Sequence, residues 1–196
     1  MKHINELELS VPAEPKIFLK PPSSLIGNNG IVIIPNASER VDYEVELAAI
    51  IKERCWKVSK EEALDYVLGF TVFNDVTARD IQAKEMKEGM PWDIAKGFNT
   101  FAPIGPEIIP VGDIDCHGLN IWLKLNGEVK QNSNTANMIF SVEDLIIYLS
   151  HIMTLEPMDI IAAGTPEGVG PMRAGDEIES GIDGIGVLKF SVEDEE

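Results

Sequence analysis

Three carboxylates alternate with apolar residues in the segment VDYEVEL, which spans residues 41–47. In a β-strand, side chains two positions apart point to the same face, so Asp42, Glu44 and Glu46 would share one side. Carboxylates stacked on one face repel each other, which destabilises a fold unless they face water or share a cation. The alternation therefore predicts either a solvated sheet face or part of a cation site.

A further carboxylate, Asp75, closes the apolar run VLGFTVFND, and Arg79 and Gln82 follow it closely. Glu44, Glu46 and Asp75 would supply three hard oxygen ligands from two strands. Such a set suits Mg²⁺ or Mn²⁺, with Ca²⁺ also possible, and leaves positions open for water and substrate. We therefore predict a divalent-metal site at these three residues.

Composition excludes several classes of function. The chain has 196 residues, of which 33 are acidic and 16 basic, giving a formal net charge of −17. This negative charge would repel a nucleic acid partner, because the lysines and arginines are scattered and form no basic patch. No apolar run has membrane-spanning length, and no signal peptide is evident. Cys55 and Cys116 form no disulfide framework and lack the spacing of a zinc site, so we expect reduced thiols in a cytoplasmic protein.

The middle of the chain carries helix and loop patterns. Ser59 and Glu62 have the spacing of a capping box, which predicts a helix over residues 60–68 that stops at Gly69. Its inward face would contain Ala63, Leu64, Val67 and Leu68. Residues 76–100 are polar and interrupted by glycine and proline, so they predict a long loop with one short helix.

The second half is typical of β-sheet. Residues 107–111, 119–125 and 160–163 are strand-like, and Asn126 with Gly127 predicts a hairpin turn. One further helix should begin after Ser141, with Asp144 completing a capping box, and should end by Pro157. Its buried face would be formed by Leu145, Ile146, Leu149 and Ile152.

The first ten residues predict a short helix or a frayed turn in which His3 and Glu6 share a face. A histidine so near a terminus is commonly only a solvated side chain.

Five segments resemble one known family in order and wording: EVELA, FNDVTARDIQ, KGFNTFAPIGP, LNGEVKQNSNTANMIF and AAGTPEGVG. On these motifs the chain is similar to the fumarylacetoacetate hydrolase family, and most similar to its small acylpyruvate hydrolase and oxaloacetate decarboxylase branch. The resemblance implies a mostly β (α+β) fold, a rolled mixed sheet with a few short helices like the family's C-terminal domain, and a homodimer. It assigns metal ligation to Glu44, Glu46 and Asp75. It assigns substrate binding to Arg79, Gln82, Lys96 and Thr165.

The resemblance also implies a catalytic dyad in a lid helix, which falls on His3 and Glu6, with Lys96 as a further catalytic residue. Members normally place a strand before this helix, whereas this chain starts two residues ahead of His3. We therefore expect residues 1–15 to be a truncated lid segment, or a segment cut by a start codon placed too late, and residues 16–196 to be the single catalytic domain. A second departure is Met158, where members usually have glycine; we expect its turn to avoid positive φ.

The implied function is Mg²⁺-dependent hydrolysis of a C–C bond in acylpyruvates, decarboxylation of oxaloacetate, or both, through a pyruvate enolate. One alternative is isomerisation, tautomerisation or hydration, for example of 2-hydroxyhepta-2,4-diene-1,7-dioate. The other is a metal-binding member without turnover. For individual residues there are structural alternatives: Arg79 could pair with Asp80 or Asp75, and Lys96 could be a surface lysine.

Overall fold

Strands dominate residues 13–196, which are the residues that the computed structural model of the protein describes. The strands are β1 (Leu25–Ile26), β2 (Gly30–Ile34), β3 (Val41–Tyr43), β4 (Val45–Ile51), β5 (Val67–Asn74), β6 (Thr77–Ala78), β7 (Ala102–Pro103), β8 (Ile109–Pro110), β9 (Asn120–Leu125), β10 (Glu128–Asn134), β11 (Ile160–Ala162), β12 (Gly170–Met172), β13 (Glu177–Ile182) and β14 (Gly186–Asp194). The α-helices are α1 (Arg79–Glu88), α2 (Asp93–Lys96) and α3 (Val142–Ile152). The predicted mostly β fold with a few short helices is confirmed.

The strands form four sheets. The largest has the order β10-β9-β13-β14-β2, and a second has the order β11-β4-β5-β8. Two small sheets, β12-β3-β6 and β1-β7, complete the set. Pairing is antiparallel except between β14 and β2 and between β1 and β7, so the fold is mixed.

The hydrophobic core lies between the two large sheets. Leu47 and Phe70 come from the four-stranded sheet, and Leu123, Ile178 and Leu188 come from the five-stranded sheet; all are buried. These strands contain many valine, isoleucine and phenylalanine residues, which suit a pleated, buried surface. The core therefore fixes β4, which contains Glu46 and begins directly after Glu44, and β5, which ends directly before Asp75.

The predicted hairpin and the second predicted helix are both present. Asn126 and Gly127 adopt φ of 51° and 80° and connect β9 to β10, as a tight hairpin turn requires. Ser141 and Asp144 form a complete capping box at the start of α3. Ile152, expected on the buried face, is instead exposed at the last turn.

The helix predicted over residues 60–68 is wrong. Only a single 3₁₀ turn forms, at Ala63–Tyr66, and β5 begins at Val67. Strand pairing of Val67 with Ile51 overrides the local helix pattern, and Leu68 consequently points to solvent. Gly69 is a strand residue rather than a helix stop. Glycine is needed there because a Cβ would lie 2.2 Å from the Ile109 carbonyl oxygen of β8.

Residues 76–100 hold more structure than the predicted loop with one helix. Helix α1 covers ten residues and ends at Gly89, whose φ of 68° caps it; α2 adds a short turn that ends at Lys96. Together they carry Arg79, Gln82 and Lys96 on rigid elements.

The expectation for Met158 is also wrong, because Met158 adopts a φ of 72°. Its backbone N–H donates to the Ile51 carbonyl at 2.8 Å, which ties the turn to the end of β4. A left-handed conformation is costly for a residue with a Cβ, so the turn holds local strain.

None of the helices in residues 13–196 is long and apolar enough to span a membrane.

Candidate metal and substrate site

Strand pairing brings Glu44 next to Asp75. Glu44 lies at the break between β3 and β4, so the single strand predicted over residues 41–47 is in fact two strands in different sheets. The backbone N–H of Glu44 donates to Asn74 Oδ1 at 3.0 Å, and the backbone N–H of Asp75 donates to the Glu44 carbonyl at 2.8 Å. Asp75 directly follows β5, whose Asn74 is paired with Val45. These backbone contacts fix both carboxylates at one point of the four-stranded sheet.

Glu46, on β4, completes a carboxylate cluster of Glu44, Glu46 and Asp75. One oxygen from each residue lies within 4.8 Å of the others. The three residues are only 4%, 4% and 2% exposed, so the alternative of a solvated sheet face is wrong. Gly164 N–H donates to Glu46 Oε2 at 2.7 Å and holds that carboxyl from the loop after β11.

Two lysines, Lys96 and Lys20, donate hydrogen bonds to carboxylates of the cluster. Lys96 Nζ donates to Glu44 Oε2 at 2.9 Å and also to Asp75 Oδ2, and its side chain is buried, so the alternative of a surface lysine is wrong. Lys20 Nζ donates to Asp75 Oδ1 at 2.7 Å and to the Val76 carbonyl at 3.1 Å. The Lys96 ammonium also lies 4.8 Å from the centre of the Phe18 ring. Sequence reasoning missed Lys20, because a single lysine in a proline-rich segment carries no pattern.

Arg79, the first residue of α1, links the cluster to Asp42. Its Nε donates to Asp42 Oδ2 at 2.8 Å, its Nη1 to Gln82 Oε1 at 2.6 Å, and its Nη2 to Glu44 Oε1. Arg79 therefore pairs with neither Asp80 nor Asp75, contrary to the structural alternative considered from the sequence. Gln82 is buried beside it.

Thr165 is joined to the site through Gln131, a fully buried residue of β10. Gln131 Nε2 donates to Thr165 Oγ1 at 2.8 Å, and Gln131 Oε1 accepts from the N–H of Val45 at 3.0 Å. Thr165 follows Gly164, which binds Glu46. The loop after β11 thus approaches the cluster through two hydrogen-bonded residues.

The pKa values of Glu46 and Asp75 are shifted in opposite directions. Burial, together with the neighbouring Asp75 and Glu44 carboxylates, raises the pKa of Glu46 to about 8. Burial also acts to raise the pKa of Asp75, but Lys20 and Lys96 outweigh it and the pKa is lowered. Burial acts to lower the pKa of Lys96, yet Asp75 and Glu44 raise it overall, so Lys96 keeps its proton.

These residues fit a divalent cation. Among residues 13–196, no lysine or arginine forms an ion pair with Glu46, although its carboxyl is buried. A buried carboxyl without a cationic partner is costly when ionised, and a bound cation would remove that cost. Three carboxylate donors are typical of Mg²⁺ and Mn²⁺ sites that keep open positions. Glu44, Glu46 and Asp75 would hold the ion.

A second group of possible donors, Asp115, Cys116 and His117, also lies within 4.8 Å, although the spacing of the cysteines had indicated no zinc site. Asp115 and His117 already have partners within the protein. His117 Nε2 lies 2.9 Å from Glu143 Oε1, and the backbone N–H of His117 donates to Asp115 Oδ1 at 3.0 Å. Burial, with Glu143 and Asp115, raises the pKa of the Cys116 thiol to about 11. Both cysteines are unpaired thiols, as predicted.

The predicted dyad His3 and Glu6 lies outside the described residues, as does most of the predicted lid segment. Its place relative to the cluster stays a prediction.

The family described as fumarylacetoacetate (FAA) hydrolase C-terminal matches residues 1–193. The mitochondrial oxaloacetate tautomerase FAHD1 of Bos taurus is 42% identical over 191 residues, which is 97% of this chain and 86% of the relative.

Two solved structures are also similar. The fumarylpyruvate hydrolase of Pseudomonas aeruginosa, in complex with Mn²⁺ and pyruvate, has a TM-score of 0.93 and 33% identity, over 98% of this chain and 85% of that chain. The 2-hydroxyhepta-2,4-diene-1,7-dioate isomerase of Mycobacterium marinum has a TM-score of 0.88 and 41% identity, over 94% of this chain and 71% of that chain. These relatives carry out different reactions within one fold.

Proposed function

This chain belongs to the fumarylacetoacetate hydrolase family, and we propose that it is an enzyme of enolate chemistry on short 2-oxo acids of the oxaloacetate and acylpyruvate type. The observation that carries the proposal is the buried carboxylate cluster, in which one oxygen of each residue lies within 4.8 Å of the others, beside two lysines and an arginine. A divalent ion, with Mg²⁺ expected and Mn²⁺ or Ca²⁺ as alternatives, would supply Lewis acidity for the substrate's 2-oxo and carboxylate oxygens.

The cationic side chains would bind and polarise the substrate. Lys96 keeps its proton because Asp75 and Glu44 raise its pKa despite burial. It would therefore donate a hydrogen bond to a developing oxyanion rather than act as a base. Arg79, held by Gln82 and Asp42, would bind a substrate carboxylate with the fixed geometry of a guanidinium. Thr165 and Gln82 would add neutral hydrogen bonds.

Oxaloacetate is the first substrate we propose. Support comes from the 42% identity to an oxaloacetate tautomerase over 97% of this chain. Tautomerisation moves one proton between C3 and the 2-oxo oxygen, and decarboxylation of the same compound breaks the bond from C3 to its carboxylate. Neither reaction consumes water, so neither needs a general base that activates a water molecule.

Hydrolysis of an acylpyruvate is the second reaction we propose, supported by the similarity to a fumarylpyruvate hydrolase in complex with Mn²⁺ and pyruvate. Here a base must take a proton from the attacking water, and we assign that role to His3 with Glu6 in the lid segment. A histidine of ordinary pKa suits this task near neutral pH. Isomerisation of a dienedioate is the remaining alternative, suggested by the M. marinum relative.

Three assays separate these reactions. The ultraviolet band of enol-oxaloacetate reports tautomerisation, while coupling to lactate dehydrogenase reports pyruvate from oxaloacetate and from acetylpyruvate. Each is run with Mg²⁺, with Mn²⁺ and with excess chelator. We expect metal-dependent loss of the enol band, and Asp75→Asn should abolish it. The matched control Asp113→Asn changes an exposed aspartate and should have wild-type activity.

The variant His3→Ala then tests the lid. It should slow acetylpyruvate hydrolysis and spare oxaloacetate tautomerisation. Equal loss of both activities, or of neither, would contradict the assignment of His3 to water activation. Absence of all three activities in a metal-loaded protein would overturn the proposed function and favour a member without turnover.

We also propose a homodimer, on the family resemblance. Sedimentation velocity at micromolar concentrations would give a single species of twice the chain mass; a monomer would contradict the proposal.

A further inference from the structure

We infer that Asp42 is a positioning residue for Arg79, and that it sets the affinity of the site for the substrate carboxylate; this rests on the substrate-binding role proposed for Arg79. Asp42 is 0% exposed and lies outside the carboxylate cluster, two residues before Glu44.

A fully buried carboxylate needs strong partners, because removing its charge from water is costly. Asp42 has two. Arg79 Nε donates to Oδ2 at 2.8 Å, while Arg40 Nε donates to Oδ1 at 2.8 Å and Arg40 Nη2 to Oδ2 at 3.1 Å. Arg40 is half exposed, so Asp42 connects a surface arginine to the partly buried Arg79.

The bond to Asp42 fixes which way the Arg79 guanidinium faces. Its three nitrogens each have a different acceptor: Asp42, Gln82 and Glu44. The Arg79 N–H also donates to the Arg40 carbonyl at 2.7 Å, and β3 pairs with β6 directly before α1. The backbone contacts therefore fix the position of the Arg79 main chain, and Asp42 fixes the orientation of its guanidinium group.

Without the Asp42 carboxylate, the Arg79 guanidinium would be held less firmly. Arg79 would keep Gln82 and Glu44 as acceptors but lose the charged partner at Nε. A long side chain with more rotamers available binds a carboxylate less tightly, because ordering it costs conformational entropy. The loss would appear in substrate affinity, while the turnover of bound substrate would change little.

The test is a double-mutant cycle of Asp42→Asn and Arg79→Met. KM and kcat are measured on oxaloacetate, and the Kd of oxalate, a dicarboxylate similar to the pyruvate enolate, is measured calorimetrically on Mg²⁺-loaded protein. Loss of a charge-assisted hydrogen bond should raise KM and Kd roughly tenfold or more in Asp42→Asn. The change in kcat should stay within about threefold. In the Arg79→Met background, Asp42→Asn should have no further effect.

The matched control is Asp80→Asn. Asp80 is adjacent to Arg79 in sequence but accepts from Ser38 Oγ at 2.6 Å and Glu39 N–H at 3.1 Å. We expect its KM and oxalate Kd to equal those of the unmutated protein.

A second variant, Arg79→Lys, keeps the test decisive even if Asp42→Asn does not fold. Lysine retains the charge but not the three directed donors, so its oxalate Kd should rise nearly as much as in Arg79→Met. Wild-type affinity in Arg79→Lys, or additive effects of the Asp42 and Arg79 substitutions, would overturn the inference. Oxalate binding requires no turnover, so failure of the proposed reactions and failure of this inference give different results.

Discussion

Glu46 should make the metal-free protein less stable as pH rises from about 5 to about 8. Burial, with Asp75 and Glu44, raises its pKa from 4.5 to about 8 in the folded chain. Between these values the folded state holds a proton that the unfolded state has lost. Stability then falls with pH, because the folded state binds more protons than the unfolded state. Asp75, whose pKa is lowered, affects stability only at more acidic pH.

The perturbation is Glu46→Gln, which imitates the protonated side chain and keeps an acceptor for the Gly164 N–H. Over three pH units one such proton has a ceiling of about 4 kcal/mol. We expect about half of this, because buried charges are partly relieved by relaxation and water entry. At pH 5 the two proteins should differ little; at pH 8 the variant should be more stable by about 2 kcal/mol.

The assay is urea unfolding at several pH values in excess chelator, comparing the free energy of unfolding of the variant and the unmutated protein. The difference removes the titration of other groups common to both. With Mg²⁺ the order should reverse, since the variant lacks one ligand and gains less stability from the ion. A difference independent of pH in chelator would refute the reasoning that Glu46 is neutral in the metal-free fold.

Three further predictions concern the fold. Met158→Gly should raise the free energy of unfolding by roughly 0.5–1 kcal/mol, because it relieves a left-handed residue whose side chain is 60% exposed; a lower urea midpoint would contradict this. Ser141→Ala should cost about 1 kcal/mol in urea unfolding by removing the cap on the Asp144 N–H, whereas Ser59→Ala, at a site without a following α-helix, should cost less; equal losses would be the contrary result. Cys116, buried and with a thiol pKa raised to about 11, should react with a thiol reagent at pH 8 far more slowly in the native than in the unfolded chain; rapid native labelling would count against this.

Local patterns in the sequence predicted elements only where tertiary contacts agreed with them. Ser141 and Asp144 begin a helix because its apolar face meets the core. Ser59 and Glu62 have the same spacing, yet the pairing of Val67 with Ile51 converts the end of the predicted helix into a strand. Capping residues thus indicate where a helix can begin, and long-range pairing decides whether it continues.

The sequence predicted all three carboxylates of the candidate site but not all of the cationic residues that contact them. The carboxylates were recognisable because Glu44 and Glu46 stand two residues apart at the start of an apolar strand, and the pairing of β4 with β5 brings Asp75 beside them. Lys20 reaches Asp75 across 55 positions of sequence, which no periodicity encodes. Asp42 lies on β3, in a different sheet from Glu46, and its contact with Arg79 depends on how α1 follows β6.

The proposed function depends on the binding of a divalent cation by Glu44, Glu46 and Asp75. Calorimetric titration of the chelator-treated protein with Mn²⁺ tests it most directly, beside Asp75→Asn and the exposed control Asp113→Asn. We predict one ion per chain for the unmutated protein and the control. For Asp75→Asn we predict a Kd raised at least about a hundredfold, as loss of a charged ligand worth about 3 kcal/mol would give. Unchanged Mn²⁺ binding in Asp75→Asn, or no binding in the unmutated protein, would contradict the account.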